Sequence, residues 1–452
     1  MTARNWSRWI VAAILRQRSF TKTFAALAAI FISFFACVSY SRPQSAPPVI
    51  VVDHGKNAAG QEAKHYVVLV SLDGFRYDYA QKYGAPHILA IAARGASAVE
   101  GMFSAYPSVT FPNHYTIVTG LYPEHHGIVA NSFYDPARKQ QFSYNDPKTG
   151  GDGSWYGGVP LWVLAEKQGM RTACFFWPGS DTEIDGDRPS FYLKYDNTIK
   201  DEARIEQVAA WLELPAALRP HFVTLYYADT DHAGHVFGPD SPEEAIAVHH
   251  VDELMGRLEA KLNDLHLAID LIIVSDHGME NVEGGWINLD KWADLTDFET
   301  DGALMYPKSE AAAERAYKQL HGASDKFEVY RRRDVPPQLH YDSNPRIGDP
   351  VVVLNGPYLV RARSGPPNEP PPTVKGAHGY DPYRMKTMRG IFYAEGPDIR
   401  HGVTLAPFQN TNIYPFIAKI LGLKIGQVDA DGKILEEILQ PAPEHATAGD
   451  GR

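Results

Sequence analysis

The chain has 452 residues, of which 44% are hydrophobic, 21% charged and 12% aromatic, a composition that supports a large folded core and excludes a disordered chain. Its net charge of -11 argues against a protein that tracks long nucleic acid by neutralising phosphates. A small anionic substrate is still compatible with this charge, because a bound metal ion can reverse the field inside one pocket. With only Cys37 and Cys174 present, any metal has to be held by histidine and carboxylate side chains.

The N-terminus has the pattern of a targeting segment. Basic residues between Arg4 and Lys22 precede an uncharged stretch at 23–41, which is about long enough to span a bilayer. We interpret residues 1–41 as a signal peptide or an uncleaved signal anchor and residues 42–64 as a linker. The basic flank predicts an extracytoplasmic body, either periplasmic or secreted, or anchored to the inner membrane through this segment.

Four continuous apolar runs, at residues 65–72, 172–177, 221–228 and 269–275, predict strands that are buried on both faces. Helical patterns separate them, most clearly at 242–262, so we expect an α/β fold with a mainly parallel central sheet flanked by helices. The catalytic domain would span 65–440. A smaller inserted lobe is predicted at about 281–375; it contains a helix at 310–319 and an arginine run at 331–333, which is either a solvated surface or an anion contact. Residues 441–452 resemble a disordered tail.

Potential metal ligands follow three of these apolar runs. Asp73 precedes Gly74 in VVLVSLDGF, Asp276 and His277 lie in LIIVSDHGM, and Asp231 and His235 lie in YYADTDHAGH. Parallel sheets gather such residues at the carboxyl ends of their strands, where uncompensated carboxylates would repel one another and bound cations would relieve the repulsion. The alternative is that each aspartate is an ordinary turn or helix cap before glycine.

Two further residues complete the constellation. His378 lies in the glycine-rich sequence KGAHGYDP, and Thr110 lies between two prolines in AYPSVTFPNHYTIVTG. A threonine near a helix N-terminus can point at a phosphate, and metal coordination can lower the pKa of its hydroxyl enough to make it a nucleophile. The competing interpretation of Thr110 is a simple N-cap. Together, the seven residues suggest a two-metal hydrolase with a covalent step.

Six motifs between about residues 66 and 420 occur in an order that resembles the nucleotide pyrophosphatase/phosphodiesterases of the alkaline phosphatase superfamily. They are SLDGF, the threonine of TFPN, HHGIVAN, DHAGH, SDHG and GAHGYD. The resemblance implies an alkaline-phosphatase-like fold and two zinc ions. One ion would be held by Asp231, His235 and His378, and the other by Asp73, Thr110, Asp276 and His277. It further implies that Thr110 is the nucleophile, that Asn131 donates to a phosphate oxygen, and that Phe111 and Tyr226 sandwich a nucleobase.

The chain resembles the compact, catalytic-domain form that is typical of bacteria, and we expect a monomer that acts on nucleotides or other small phosphodiesters, releasing nucleoside 5'-monophosphates. Val109, Phe111 and Pro112 beside Thr110 favour a diesterase over a monoesterase, because an apolar shoulder suits a substituent better than a second anionic charge. The sequence lacks the C/S-x-P-x-R signature of sulfatases. A phospholipid-headgroup diesterase and a non-catalytic, membrane-anchored metal-binding module are alternatives.

Overall fold

The computed structural model describes residues 48–366 and 369–441. The predicted targeting segment, the first part of the linker and almost all of the predicted tail lie outside these residues. Within them, no helix has both the length and the apolarity needed to cross a membrane.

A mixed β-sheet forms the centre of the molecule, and further strands form small two-stranded sheets. The strands are β1 Ile50–Val51, β2 Tyr66–Leu72, β3 Ala96–Ala98, β4 Ser132–Asp135, β5 Gln140–Ser143, β6 Thr172–Phe175, β7 Phe191–Leu193, β8 Phe222–Tyr227, β9 Ile269–Val274, β10 Glu280–Asn281, β11 Trp286–Asn288, β12 Phe298–Asp301, β13 Leu304–Pro307, β14 Phe327–Tyr330, β15 Val351–Leu354, β16 Leu359–Arg361, β17 Gly376–Ala377, β18 Phe392–Glu395 and β19 Val403–Leu405. The central sheet has the order β1-β7-β6-β8-β2-β9-β18-β3-β19. Strands β7, β6, β8, β2 and β9 run parallel to one another. The pairs β1–β7, β9–β18 and β18–β3 are antiparallel, and the edge pair β3–β19 is parallel.

Helices cover both faces of the sheet, which explains why its central strands are apolar throughout rather than alternating. The helices are α1 Tyr79–Tyr83, α2 Pro86–Arg94, α3 Thr110–Thr119, α4 Pro123–His126, α5 Leu161–Lys167, α6 Asp201–Leu212, α7 Asp229–Phe237, α8 Pro242–Asp264, α9 Glu310–Leu320, α10 Ile413–Leu421 and α11 Lys433–Glu436. In β2, Val67 and Leu69 belong to one hydrophobic core, while Val68 and Val70 belong to a second core on the opposite face. The predicted α/β fold with a mainly parallel centre is confirmed.

The region between β10 and β17 contains a separate hydrophobic cluster. Apolar side chains from β11, the β12–β13 hairpin, α9 and β14 pack together around Leu289, Met305 and Leu320. Other side chains of the same region, including Tyr341 and Ile347, pack into the main core. The region therefore has a core of its own and is also joined to the body of the protein.

Candidate active site

Three neighbouring parallel strands place carboxylates at one edge of the sheet. Asp73 directly follows β2, Asp231 lies in the first turn of α7 after β8, and Asp276 comes two residues after β9. Because β8, β2 and β9 are adjacent and parallel, their carboxyl ends meet at this edge. Parallel pairing thus brings together residues that lie up to 203 positions apart in the sequence.

The turn after β2 requires glycine. Gly74 has a φ of +67°, in the left-handed region, and a Cβ atom there would lie 2.9 Å from the Cα of Asp231. The absence of a side chain at Gly74 therefore lets the β2 turn and α7 approach closely enough for Asp73 and Asp231 to share one site.

Thr110 is the first residue of helix α3, after Val109 in an extended conformation. Its Oγ1 lies 3.2 Å from Nε2 of His277. The hydroxyl is half-buried at a helix N-terminus, where free backbone N–H groups favour an anionic group. This position suits both a nucleophile and a metal-binding hydroxyl, whereas the simple N-cap interpretation would place the residue one position earlier.

Asp231, His235 and His378 form one cluster of potential ligand atoms. Nε2 of His235 lies 3.4 Å from Oδ1 of Asp231, and Nε2 of His378 lies 3.5 Å from the same oxygen. The two Nε2 atoms are 3.1 Å apart. Helix α7 supplies Asp231 and His235 from one face at a spacing of four residues. His378 directly follows β17, after the residues 282–375 between β10 and β17, which we call the inserted region.

The backbone fixes the histidine tautomers at this cluster. Nδ1 of His235 donates to the carbonyl of Gly376 at 2.8 Å, and Nδ1 of His378 donates to the carbonyl of Ser108 at 2.9 Å. An imidazole that carries its proton on Nδ1 has a lone pair on Nε2, so two such rings would face each other lone pair to lone pair across the 3.1 Å contact between their Nε2 atoms. A cation between them would turn this repulsion into coordination, and carbonyl-oriented imidazoles are typical of metal sites.

Asp73, Asp276 and His277 form the second cluster, next to Thr110. Nε2 of His277 lies 3.0 Å from Oδ2 of Asp276 and 3.6 Å from Oδ1 of Asp73. Nδ1 of His277 is 2.9 Å from the carbonyl of Gly278, the same arrangement as in the first cluster. Its ring also stacks on His378 at 3.6 Å between centroids, so the two clusters are contiguous.

Burial and neighbouring charges shift the pKa values of three residues of the site in different directions. Burial raises the pKa of Asp73 well above its usual value, and the nearby Asp276 and Asp231 raise it further. Burial acts on Asp276 in the same direction, but the imidazoles of His277 and His114 outweigh it and hold the pKa of Asp276 low. Burial, with His277 and His235 alongside, lowers the pKa of His378 well below the usual value and keeps its Nε2 available as a ligand.

Orphaned oxygen atoms show that these residues fit metal ions. Oδ1 of Asp73, Oδ1 of Asp231 and Oδ2 of Asp276 are buried without a hydrogen-bond partner among the described residues. Buried polar atoms are almost always paired, and an unpaired buried carboxylate oxygen is costly. The donor set of aspartate oxygens, imidazole nitrogens and one hydroxyl contains no sulfur and matches the ligands that zinc accepts in hydrolases.

Asn131 lies just before β4 and reaches the N-terminus of α3. Its Oδ1 accepts a hydrogen bond from the backbone N–H of Phe111 at 2.9 Å. This bond engages the amide oxygen of Asn131, and the Nδ2 group still carries two N–H donors.

The aromatic residues around the site differ in how accessible they are. Phe111 packs against the exposed Tyr144 with 4.9 Å between ring centroids. Tyr226, which the resemblance places in a base sandwich, is only 8% exposed, and its hydroxyl donates to Oδ2 of Asp73 at 2.6 Å. Tyr195, just past the end of β7, is 57% exposed, and its ring centroid is 6.3 Å from that of Tyr226. The geometry thus gives Tyr226 a supporting contact with a potential metal ligand and leaves Tyr195 as the open aromatic surface.

His114 is a site residue that the sequence analysis did not identify. The ring is fully buried, with Nε2 2.8 Å from the hydroxyl of Ser71 and Nδ1 2.9 Å from the carbonyl of Thr110. Nδ1 also lies 3.4 Å from Oδ2 of Asp276. The only signal in the sequence was its spacing of four residues from Thr110, which places both on one face of α3.

Comparison with known proteins identifies the family. A profile described as "type I phosphodiesterase / nucleotide pyrophosphatase" matches residues 67–381. An uncharacterized pyrophosphatase/phosphodiesterase of Schizosaccharomyces pombe is 36% identical over 79% of this chain and 77% of its own length. A venom phosphodiesterase of Macrovipera lebetinus is 34% identical over 85% of this chain, and human ectonucleotide pyrophosphatase/phosphodiesterase family member 1 is 35% identical over 79%. This chain covers 44% and 40% of the length of those two longer proteins.

Solved structures agree with this assignment. Murine ectonucleotide pyrophosphatase/phosphodiesterase 5, determined as an inactive threonine-to-alanine variant in complex with AMP, superposes with a TM-score of 0.77 and 29% identity, covering 83% of this chain and 100% of that chain. The human counterpart gives a TM-score of 0.76 at 30% identity. The expected family and its fold are confirmed, while the compact bacterial type stays a prediction. This protein is an enzyme of the type I phosphodiesterase/nucleotide pyrophosphatase family.

Proposed function

We propose that this protein hydrolyses phosphodiester and phosphoanhydride bonds of nucleotides or nucleotide derivatives, and that it depends on two zinc ions and a covalent Thr110 intermediate. The observation that carries this proposal is the position of the Thr110 hydroxyl, 3.2 Å from Nε2 of His277, the imidazole nitrogen that also lies 3.0 Å from Asp276 and 3.6 Å from Asp73. Family members act on phosphodiesters, and the AMP complex of the murine relative is consistent with a nucleotide substrate.

The ligand sets that the geometry supports are Asp231, His235 and His378 for one ion, and Asp73, Thr110, Asp276 and His277 for the other. Bound zinc would neutralise phosphate oxygens and lower the pKa of an attached hydroxyl or water. The chain's own residues orient these ligands: Gly376, Ser108 and Gly278 direct the three imidazoles, and Tyr226 holds Asp73.

In the first chemical step, Thr110 gives up its hydroxyl proton to solvent and Oγ1 attacks phosphorus. An Oγ1–P bond forms and the bond from phosphorus to the leaving oxygen breaks; that oxygen either takes up a proton from solvent and leaves as an alcohol, or leaves as a phosphate. In the second step, a water oxygen attacks the same phosphorus and Thr110 departs, regaining a proton. The products are a nucleoside 5'-monophosphate and the leaving group, so one water is consumed in each cycle.

Asn131 contributes a neutral donor to the phosphate in both steps. Its Oδ1 accepts a hydrogen bond from the N–H of Phe111, the residue directly after Thr110, which supports a role for Nδ2 as the donor. Donors of this type matter most when charge accumulates on the phosphoryl oxygens, and the loss of one such donor typically costs about 10²–10³-fold in kcat.

The base would lie against Phe111 on one side and Tyr195 on the other. Both rings border the site, and Tyr195 has the accessible face that stacking requires, whereas the hydroxyl of Tyr226 is bonded to Asp73. Stacking of one base on an aromatic side chain contributes about 1–3 kcal/mol. This arrangement modifies the base sandwich that the resemblance implies for Phe111 and Tyr226.

We also propose an extracytoplasmic location and a monomeric state. The N-terminal pattern supports the location, as do the printed names of the relatives, which are ectonucleotide and venom enzymes. Protease accessibility of the protein in intact cells would test the location.

A substrate panel tests the chemistry: p-nitrophenyl-TMP, p-nitrophenyl phosphate and p-nitrophenyl phosphocholine, each assayed before and after chelation. We expect the TMP ester to be hydrolysed fastest, with loss on chelation and recovery with zinc. Fastest turnover of the phosphocholine ester would instead identify a headgroup diesterase. Thr110→Ala with zinc retained should lose turnover and fail to trap a labelled nucleotidyl group; unchanged turnover would disprove the covalent route.

A further inference from the structure

The segment that carries Asn131 is held in place by the inserted region. The hydroxyl of Tyr341 donates to the carbonyl of Val129 at 2.8 Å, two residues before Asn131. On the other side, the hydroxyl of Tyr306 accepts from the N–H of Tyr134 at 3.1 Å. Residues on both sides of Asn131 are therefore bonded to side chains that belong to a different part of the chain.

Arg346 makes the most extensive of these contacts. Its Nη1 donates to the carbonyls of Gly127 at 2.8 Å and Trp155 at 2.9 Å, while Nε donates to Oδ2 of Asp135 at 2.8 Å. Gly127 comes four residues before Asn131, and Asp135 comes four residues after it. One guanidinium group thus connects both ends of the segment 127–135, which it can do because its donors form a rigid planar fork.

The environment of Arg346 is built for this contact. Its side chain is 14% exposed, and the guanidinium lies over the rings of Phe133 and Trp155 at 5.5 and 5.2 Å from their centroids. A Cβ atom at Gly127 would lie 2.7 Å from Nη1 of Arg346, so a glycine gives the guanidinium room to approach the backbone. The hydroxyl of Tyr306 donates in turn to the carbonyl of Arg346 at 2.9 Å.

A displacement of segment 127–135 would move Asn131 relative to the nucleophile. Asn131 is linked to the N–H of Phe111, the residue directly after Thr110. Small errors in the placement of a catalytic group are costly, and a displacement of about 1 Å can reduce the rate about 10²-fold.

We propose that Arg346 is a positioning residue for Asn131, through which the inserted region fixes the phosphate donor against the N-terminus of α3. The inference rests on the proposed role of Asn131 as a phosphate donor. It assigns the inserted region a part in catalysis, although none of the proposed metal ligands comes from it.

The test is a double-mutant cycle between Arg346→Met and Asn131→Ala, with p-nitrophenyl-TMP as substrate and zinc content measured for every variant. We expect Arg346→Met alone to lower kcat by about 10–100-fold and to change KM by less than about threefold, because positioning errors act on the transition state. In the Asn131→Ala background, the same substitution should change kcat by less than about twofold, because the group being positioned is gone.

Arg331→Met is the matched control. Arg331 is a buried arginine of the same inserted region, with a side chain 3% exposed, but its ion pairs go to Asp349, Glu310 and Glu314. It should lower the melting temperature without changing kcat. Tyr341→Phe removes a single hydrogen bond from the segment and should give a smaller kcat loss of the same kind; it replaces Arg346→Met in the cycle if that variant does not fold.

The outcomes separate this inference from the proposed function. If Arg346→Met lowers kcat equally in both backgrounds, or if Arg331→Met lowers it as much, Arg346 has a general structural role and the inference is wrong. If Asn131→Ala is impaired while Arg346→Met and Tyr341→Phe are not, only the inference fails. If Asn131→Ala itself retains full kcat, the proposed role of Asn131 fails and the inference fails with it.

Discussion

Replacing Tyr226 with phenylalanine should weaken zinc binding more than nucleotide binding. The substitution keeps the ring, which packs against His114 at 5.3 Å, and removes only the hydroxyl that donates to Asp73 at 2.6 Å. Burial raises the pKa of Tyr226 well above its usual value, so this hydroxyl keeps its proton at neutral pH. A hydrogen bond to a buried carboxylate contributes about 1.5–3 kcal/mol, which corresponds to about a 10–150-fold loss of affinity at the proposed site that contains Asp73.

Competition with a chromophoric zinc chelator measures this loss for the two proposed zinc sites, and steady-state kinetics with the TMP ester at saturating zinc measures KM. Tyr195→Phe is the control, since it removes a hydroxyl from a ring that is 57% exposed and should leave both zinc affinities unchanged. If Tyr226→Phe bound zinc normally and raised only the KM of the nucleotide, the hydrogen bond would be unimportant and Tyr226 would belong to the base-binding surface.

Three further substitutions test the electrostatics and packing of the site. Burial and two neighbouring carboxylates raise the pKa of Asp73, so the zinc-free protein loses stability as pH rises above the unfolded pKa of 3.8. At neutral pH, Asp73→Asn should therefore have a higher melting temperature than wild type without zinc and a lower melting temperature than wild type with zinc. The reasoning would be refuted if the same protein melted higher both with and without zinc. Burial raises the pKa of Glu244 from 4.5 to about 9, so the folded wild-type protein loses stability as pH rises between these values. In zinc-free urea unfolding, the free energy of unfolding of Glu244→Gln should exceed that of wild type by about 3 kcal/mol at about pH 7 and by almost nothing at about pH 4.5. An equal difference at both pH values would contradict the pKa shift. Gly74→Ala should destabilise the protein by at least about 1 kcal/mol and reduce zinc content, because its Cβ would meet Asp231; normal melting and zinc content would show that the turn can adjust.

The strands and the carboxylates at their ends were predictable because the signals are local. The four predicted runs contain β2, β6, β8 and β9, and each boundary differs by no more than two residues. A strand that is buried on both faces is apolar throughout, and the Asp-Gly turn that ends β2 is equally visible in the sequence. Parallel pairing then determines that Asp73, Asp231 and Asp276 meet.

The aromatic pair that we propose for base binding, Phe111 and Tyr195, was not predictable in the same way. Tyr226 lies on a strand that points at the site, but whether its ring or its hydroxyl faces the ligand depends on the contact with Asp73, which no local pattern records. Tyr195 follows β7, which is separated from β2 in the sheet by β6 and β8. An exposed aromatic residue past the carboxyl end of a parallel strand was the available signal, and it needed the strand order to be useful.

The arginines of the inserted region show why a charge pattern is a weak guide to function. The run at 331–333 is the most conspicuous basic feature of that region, yet Arg331 is buried in ion pairs with acidic residues of the same region. Arg346 stands alone in the sequence, and two of its three acceptors are backbone carbonyls, at Gly127 and Trp155, about 200 residues away. Every residue has a backbone carbonyl, so the sequence does not indicate which carbonyl a given side chain will bind. A side chain that holds the backbone in place is therefore recognised only in the folded structure. If Arg346 positions Asn131, the inserted region helps to fix the phosphate donor against the N-terminus of α3. Substitutions in the inserted region would then alter kcat without changing any of the proposed metal ligands.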